Sequence, residues 1–304
     1  MRVLLIVNSS ASSVTARGRV VIQKALAADH DVTLAETSRR GHATRLAQGA
    51  ANVGVEVVVV LGGDGTLNEA ANGLAGTDTA LAVLPGGSTN VFARTMGLPN
   101  DPIEATSDLL DALVRGAIER VGLGSVNGRY FLFHVGLGFD AEVVRQVERR
   151  TALKRYAGHP LFVYAGITTW FRHYDRTRPR FAVHHADATV VEDGCFGLVL
   201  NTNPYTYLGN RPLQVAPEAT LERGLASLTM RTLAFPTFAT VIASVLGTGR
   251  RARTHRRVDY RTDLTGLRVV GHGPFPYQVD GDFLGETTEL VIRHEPDALR
   301  LVRP

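Results

Sequence analysis

Apolar positions along this chain fall into two textures. Up to about residue 120, short continuous apolar runs alternate with segments whose apolar residues recur every three or four positions. Arg2–Asn8, Asp31–Glu36, the run VVVVL after Glu56 and Leu81–Leu84 have strand length and, in most cases, β-branched enrichment. Between them, Val14–Ala28, Gly41–Ala51, the stretch from Thr66 to Gly73 and Asp101–Arg115 have helical spacing. In the first of these helices Val20, Val21, Leu26 and Ala27 are expected to face inward. Strands alternating with helices over short connections imply an α/β domain with a parallel sheet and right-handed crossovers. After about Val121 the pattern shortens. Phe131–Val135, Phe181–His184, Thr189–Val191, Gly197–Asn201, Ser227–Leu233, Leu267–Val270 and Glu289–Ile292 are strand-like runs separated by turn residues. They predict a mostly antiparallel second domain, interrupted by helical segments at Asp140–Phe171, broken near Gly158-His159-Pro160, and at Pro236–Leu246. The expected division is 1–121 and 122–304, with the last fifteen or so residues able to pack back on the first domain.

Ligands of parallel α/β sheets bind beyond the carboxyl ends of the strands. Asn8, Thr37, Gly62–Thr66 and Gly86–Asn90 all fall at such ends. The stretch VVVVLGGDGTLNEAANG is a strand, a tight turn and a helix. Its glycines allow close backbone approach, and free N–H groups at the helix start favour an anion. A carboxylate in that turn, Asp64, fits if a cation or a ligand donor meets it. A second strand, Leu81–Leu84, leads into Pro85-Gly86-Gly87-Ser88-Thr89-Asn90 and a helical Val91-Phe92-Ala93-Arg94. Neither GxxxxGK[ST] nor GxGxxG opening a helix is present, which disfavours a Walker-type NTPase and a dinucleotide dehydrogenase.

Composition narrows the class without naming it. The 304 residues, 44% hydrophobic and 20% charged, describe a globular chain with room for a sizeable core. A single cysteine, Cys195, rules out an internal disulfide and a thiolate metal cluster. The opening MRVLLIV runs straight into NSSASS, so no export signal is expected, and no apolar stretch reaches the roughly 18 residues of a spanning helix. These features fit the cytoplasm.

GGDGTLNEAANGL followed by LPGGSTNVFAR resembles the diacylglycerol kinase catalytic-domain family, which also holds sphingosine and ceramide kinases and is more distantly similar to NAD kinases. The resemblance implies a NAD kinase/diacylglycerol kinase-like α/β domain, a β-sandwich-like second domain and an active site in the cleft between them. It implies ATP and Mg²⁺ as cofactors and a lipid alcohol, most readily diacylglycerol, as acceptor. Gly62, Gly63, Gly65, Thr66 and Ser88 would cradle phosphates, with Asn68, Glu69, Gly86 and Gly87 in the same two motifs. Asp64 would organise nucleotide and Mg²⁺, Asn90 would fix the second loop, and Asn8 and Thr37 would contact the nucleotide. Arg94 matches a family arginine near the acceptor. Asp140 in GLGFDA would accept from the acceptor hydroxyl, although a helix N-cap is an equally simple reading of it. In QVDGD, Asp280 and Asp282 would handle the hydroxyl proton and the metal environment; read without the family, the same residues look like a solvated turn. Several positions depart from the family: Asp282 stands for the usual glutamate, Val91 for an aspartate, and NSSAS lacks the usual proline and glycine. Arg223 replaces the second acid of an auxiliary Mg²⁺ site, so that site is expected to be absent.

Basic residues cluster at Arg145, Arg149, Arg150, Lys154 and Arg155, at Arg172, Arg176, Arg178 and Arg180, and at Arg250, Arg251, Arg253, Arg256, Arg257 and Arg261. Two apolar segments, Leu161–Phe171 and Phe235–Leu246, adjoin them. Such runs are either solvated faces or a dock for an anionic membrane, making the protein peripheral to it. No nucleic-acid-binding pattern accompanies them. The oligomeric state stays open, a homodimer included. Two other functions stay open as well: a NAD kinase-like small-molecule kinase, and a catalytically weak lipid-binding or regulatory protein of the same fold.

Overall fold

The computed structural model describes residues 1–149 and 164–304. Two compact units emerge, one of residues 1–123 with 296–304 and one of residues 124–295. The C-terminal nine residues thus belong with the first unit.

In the first unit β1 (Arg2–Val7), β2 (Asp31–Glu36), β3 (Val57–Gly62) and β4 (Ala80–Pro85) run parallel in the order β2-β1-β3-β4. Every residue of β3 and β4 is buried, as continuous apolar runs in a covered parallel sheet require. Arg300 and Leu301 extend the sheet parallel to Ala80 and Leu81 of β4. The connecting helices are α1 (Ala16–Ala27), α2 (His42–Asn52) and α3 (Asp64–Leu74), with α4 (Val91–Thr95) and α5 (Pro102–Val114) following β4. Thr15 caps α1 by accepting from the Gly18 N–H at 3.0 Å. The buried stripe of α1 is Gly18, Ile22 and Leu26, so Val20 and Val21 face solvent rather than the core. The helix phase follows Ile22: at roughly 100° per residue Val21 lies one step and Val20 two steps round the helix from it, and Ala27 is turned outward with them.

The second unit is antiparallel. It begins in β5 (Ile118–Val126) and continues through β6 (Arg129–Phe131), β7 (His134–Gly138) and α6 (Phe139–Glu148). A helical turn over residues 164–168 leads into a π-helical turn, Thr169–His173. Next come β8 (Phe181–His185), β9 (Val190–Gly194), β10 (Phe196–Leu200), a small hairpin β11 (Thr206–Leu208) and β12 (Arg211–Leu213), and β13 (Leu225–Met230). Two helices, α7 (Phe235–Val245) and α8 (Arg250–Arg253), precede β14 (Val258–Leu264), β15 (Gly266–Val279) and β16 (Asp282–Val302). The strand order is β14-β13-β10-β7-β15, with β15 also pairing β8 and β16. One core gathers Phe131, Phe181 and Phe275; another joins Phe139 and Trp170 to Leu228 and Val241. Phe131–Val135 is not one strand: the chain leaves β6 after Phe131 and re-enters the sheet at His134. The break near Gly158, along with Arg150, Lys154 and Arg155, lies outside the described residues.

Candidate active site

The first-unit site is two glycine turns held back to back. Gly62 and Gly63 leave β3, Gly86 and Gly87 leave β4, and the Gly86 N–H donates to the Gly62 carbonyl at 2.9 Å. A Cβ on Gly86 would stand 2.8 Å from both Cα and N of Gly62, and one on Gly87 2.9 Å from Cα of Gly63. Side chains are therefore excluded at Gly86 and Gly87 by the neighbouring turn itself. The chain after β1 closes over the same place: Asn8 Nδ2 donates to Thr66 Oγ1 at 2.9 Å, and Ser13 bonds the carbonyls of Gly86 and Gly87.

Asp64 reaches across rather than outward. Its oxygens accept from the N–H groups of Val91 at 3.0 Å and Phe92 at 3.1 Å, capping α4 from another turn. Burial raises its carboxyl pKa, and those two backbone donors act against the rise. Asn90, in the left-handed region at φ 48°, accepts from the Gly87 N–H and donates to Asn100 Oδ1, which fixes the second loop. Glu69 faces away from the turn, accepting from the N–H groups of Gly41 at 2.7 Å and Ala43 at 3.1 Å at the start of α2. Asn68 is buried beside Asn72, and Thr37 follows β2 with its N–H on the Val7 carbonyl. Arg94 is half-buried on α4, and Ser88 is exposed at the loop tip. What remains open is the start of α3: Gly63 is its N-cap and no side chain caps it. Its first N–H groups, beside the small residues Gly63, Gly65 and Thr66, could hold an anion.

In the second unit Asp140 is not an N-cap, since Gly138 holds that position. Its carboxylate accepts from the Tyr205 hydroxyl at 2.6 Å and from Gln278 Nε2 at 2.8 Å. Gly136 makes room for this pair, because a Cβ there would fall 1.7 Å from Asp140 Oδ2. Asp280 and Gly281, with φ 49° and 83°, form the two-residue turn between β15 and β16, the conformation that an Asp-Gly pair adopts readily. The turn is not solvated at Asp280, which is 6% exposed. Its two oxygens accept from the N–H groups of Leu132, Phe133 and His134 at 2.8–3.0 Å, and this diverts the chain between β6 and β7. Asp282 begins β16 with a partly open side chain, its Oδ2 3.7 Å from Arg129 Nη2. Arg223 lies 3.9 Å from Asp263.

Known proteins resemble parts of this chain in sequence and the whole of it in fold. Residues 2–126 fit the model of the diacylglycerol kinase catalytic domain. These residues belong to the diacylglycerol kinase catalytic-domain family. A diacylglycerol kinase of Bacillus subtilis is 34% identical over 149 residues, 48% of this chain and 48% of that protein. A Pseudomonas aeruginosa protein named "Probable lipid kinase YegS-like" is 34% identical over 170 residues, 55% of this chain and 53% of its own length. The chain thus aligns with about half the length of these curated relatives. A crystal structure of a diacylglycerol kinase from Bacillus anthracis str. Sterne shares the fold over all of this chain and 97% of its own, with a TM-score of 0.71 at 21% identity.

Within the diacylglycerol kinase catalytic domain the glycine packing is testable. Gly86→Ala forces the two turns apart, at about 1–3 kcal/mol, and should lower both melting temperature and Mg-ADP affinity by calorimetry. Gly63→Ala, whose Cβ meets only the Gly87 backbone in ordinary contact, Cα at 3.5 Å and N at 4.0 Å, should keep the melting temperature.

Sequence reasoning missed Tyr205 and His134. His134 is buried, its ring 4.5 Å from that of Tyr205. Burial lowers its pKa to about 3, whereas burial raises Asp140 to about 6 against the donors Tyr205 and Gln278. Folded Asp140 binds its proton more tightly than the unfolded chain, so its contribution to stability falls as pH rises from about 4 to 6. Folded His134 binds its proton less tightly, so its contribution falls as pH drops from about 6.5 toward 3. The slopes oppose each other in the wild type. Asp140→Asn should leave stability falling with acid, and His134→Gln should leave it rising with acid between about pH 6 and 4. Urea midpoints across that range read both; parallel profiles for the two variants would contradict the assignment.

Proposed function

We propose that the chain is an ATP- and Mg²⁺-dependent lipid kinase that transfers the γ-phosphoryl group to a lipid hydroxyl, diacylglycerol giving phosphatidic acid. The observation that carries this reading is the uncapped start of α3, set between two interlocked glycine turns in the family's own motif. Among the described residues no cluster of three carboxylate, histidine or cysteine side chains could hold a metal alone. The donor set suits Mg²⁺ arriving on the nucleotide's phosphates, with Asp64 beside them. When bound, the ion would neutralise charge on the transferring group.

The protein's own part is positioning and proton removal. N–H groups at α3 hold phosphate oxygens. The Asp282 carboxylate takes the acceptor proton as the lipid oxygen bonds to phosphorus and the bond to ADP breaks. Asp280 is occupied by three backbone donors, so it braces the turn while Asp282 acts. Asp140, Tyr205 and Gln278 give the second unit a polar network able to meet an acceptor hydroxyl. Catalysis of this kind rests mostly on orientation.

The test is transfer of labelled γ-phosphate from ATP to dispersed diacylglycerol, with sphingosine and NAD as rival acceptors. Lipid phosphorylation lost on adding chelator supports the reading. Transfer only to NAD would assign a small-molecule kinase, and no transfer to any acceptor by a protein that binds lipid would assign a binding role.

A further inference from the structure

The second unit contains a cavity of about 630 Å³ that the kinase reading leaves unused. Arg176, Arg231, Arg256, Arg257 and His255 line it with one carboxylate, Asp193. That carboxylate is taken by Arg231 Nε at 2.7 Å. The Arg176 guanidinium is fixed over the Trp170 ring at 4.7 Å. Among the described residues, no carboxylate forms an ion pair with Arg176, Arg256 or Arg257. α7 adds its N-terminus, since Ala234, Pro236 and Thr237 form part of the wall and no side chain caps that helix. Three unneutralised guanidinium groups and a positive helix end make a site for a phosphate group.

What flanks the cavity decides which phosphate. Trp170 stacks on Phe238 with ring centroids 4.1 Å apart, so the turns over residues 164–173 lie beside α7. Large apolar side chains stand exposed on both segments: Phe171 at 71% and Phe235 at 67%, with Ile167 and Ile242 also open. Three other arginines of these clusters are already engaged. Arg145 pairs with Glu142 and Glu286, Arg261 with Asp187 and Asp259, and Arg253 donates to backbone carbonyls and stacks on Tyr260. A phosphate-binding cavity edged by aliphatic and aromatic side chains matches an anionic phospholipid at a bilayer surface, headgroup in the cavity and exposed side chains among the acyl chains. We propose that this cavity is a headgroup site that docks the protein on anionic membranes, with none of the residues assigned to phosphoryl transfer in its lining. The volume lies within the range of small-ligand sites.

Vesicle co-sedimentation tests this with binding as the readout, so it stands or falls separately from the kinase reading. Wild-type protein should favour phosphatidylcholine vesicles containing phosphatidylglycerol over phosphatidylcholine alone. Arg256→Gln with Arg257→Gln should weaken binding to the anionic vesicles by about 30-fold, at roughly 1 kcal/mol per charge. Phe171→Ser with Phe235→Ser should weaken it as well, with melting temperatures unchanged in both. Arg17→Gln with Arg115→Gln, exposed in the first unit, removes the same charge and should leave affinity within about twofold. An equal loss in that control pair would mean diffuse attraction and no site. Equal wild-type affinity for both vesicles, or binding of a DNA oligonucleotide with the same arginine dependence in place of vesicles, would also overturn the proposal.

Discussion

Asp282→Asn should lower phosphoryl transfer by about 100-fold or more while Mg-ADP affinity and melting temperature stay at wild-type values. The expectation rests on a contrast between two carboxylates flanking one glycine. Asp280 is buried and spends its oxygens on three backbone N–H groups. Asp282 keeps a side chain 28% exposed, and its ion pair with Arg129 is long at 3.7 Å. The pair is half-buried but long, and asparagine keeps the side chain's size and hydrogen-bonding capacity, so replacing the charge costs the fold about 1 kcal/mol. The Asp282 backbone is fixed by its pairing with Val279 across the turn. Asp282→Glu therefore extends the carboxylate by about 1.5 Å without moving its root. Displacement on that scale can cost about 100-fold in rate, so Asp282→Glu should not exceed wild type. Steady-state kinetics with saturating ATP separates these cases. Near-normal turnover by Asp282→Asn would take the residue out of the mechanism, and a faster Asp282→Glu would mean that the native base is too short.

Legibility in the sequence followed the range of the interactions involved. β1, β3 and β4 could be read because a strand buried on both faces needs an unbroken apolar run, a local property. β15 and β16 appeared only as fragments. They are 14 and 21 residues long, half-buried in places, and a register shift between Val270 and Phe275 interrupts the alternation that would mark them. The glycine turns were legible as tight strand-to-helix turns, with their glycines read as room for a ligand. At Gly86 and Gly87 they make room for each other, a contact between strands that no local pattern encodes. Glu69 lies within the GGDGTLNE motif, yet caps α2 more than twenty residues upstream. Tyr205 is 65 residues from Asp140, on a segment with no motif to mark it. The arginine clusters were visible as charge, but only the structure separates Arg256 and Arg257 from Arg145 and Arg261, which are bound to carboxylates.

Asp280→Ala should be among the most destabilising single replacements in the second unit, at about 4 kcal/mol. The three N–H groups that lose their acceptor belong to Leu132, Phe133 and His134, all of which are buried. Each unsatisfied buried donor costs about 1–3 kcal/mol, and the sum falls short of three full penalties because the local chain can relax toward water. A second cost comes from the backbone. Asp280 has φ 49°, a conformation that aspartate and asparagine tolerate better than alanine, by about 1 kcal/mol. Two companions separate the contributions. Asp280→Gly removes the acceptor but relieves the backbone, so it should be less damaging than Asp280→Ala. Asp280→Asn keeps the backbone preference and one acceptor oxygen, so it should lose least of the three. Against a total of about 5–15 kcal/mol for a domain, Asp280→Ala should shift the urea midpoint far enough to leave a substantial unfolded fraction at ordinary temperature. The order Ala, Gly, Asn in falling severity is the discriminating result. If Asp280→Ala instead retained wild-type stability and lost only turnover, the residue would be a catalytic acid held in reserve, and the three backbone donors would have found another acceptor.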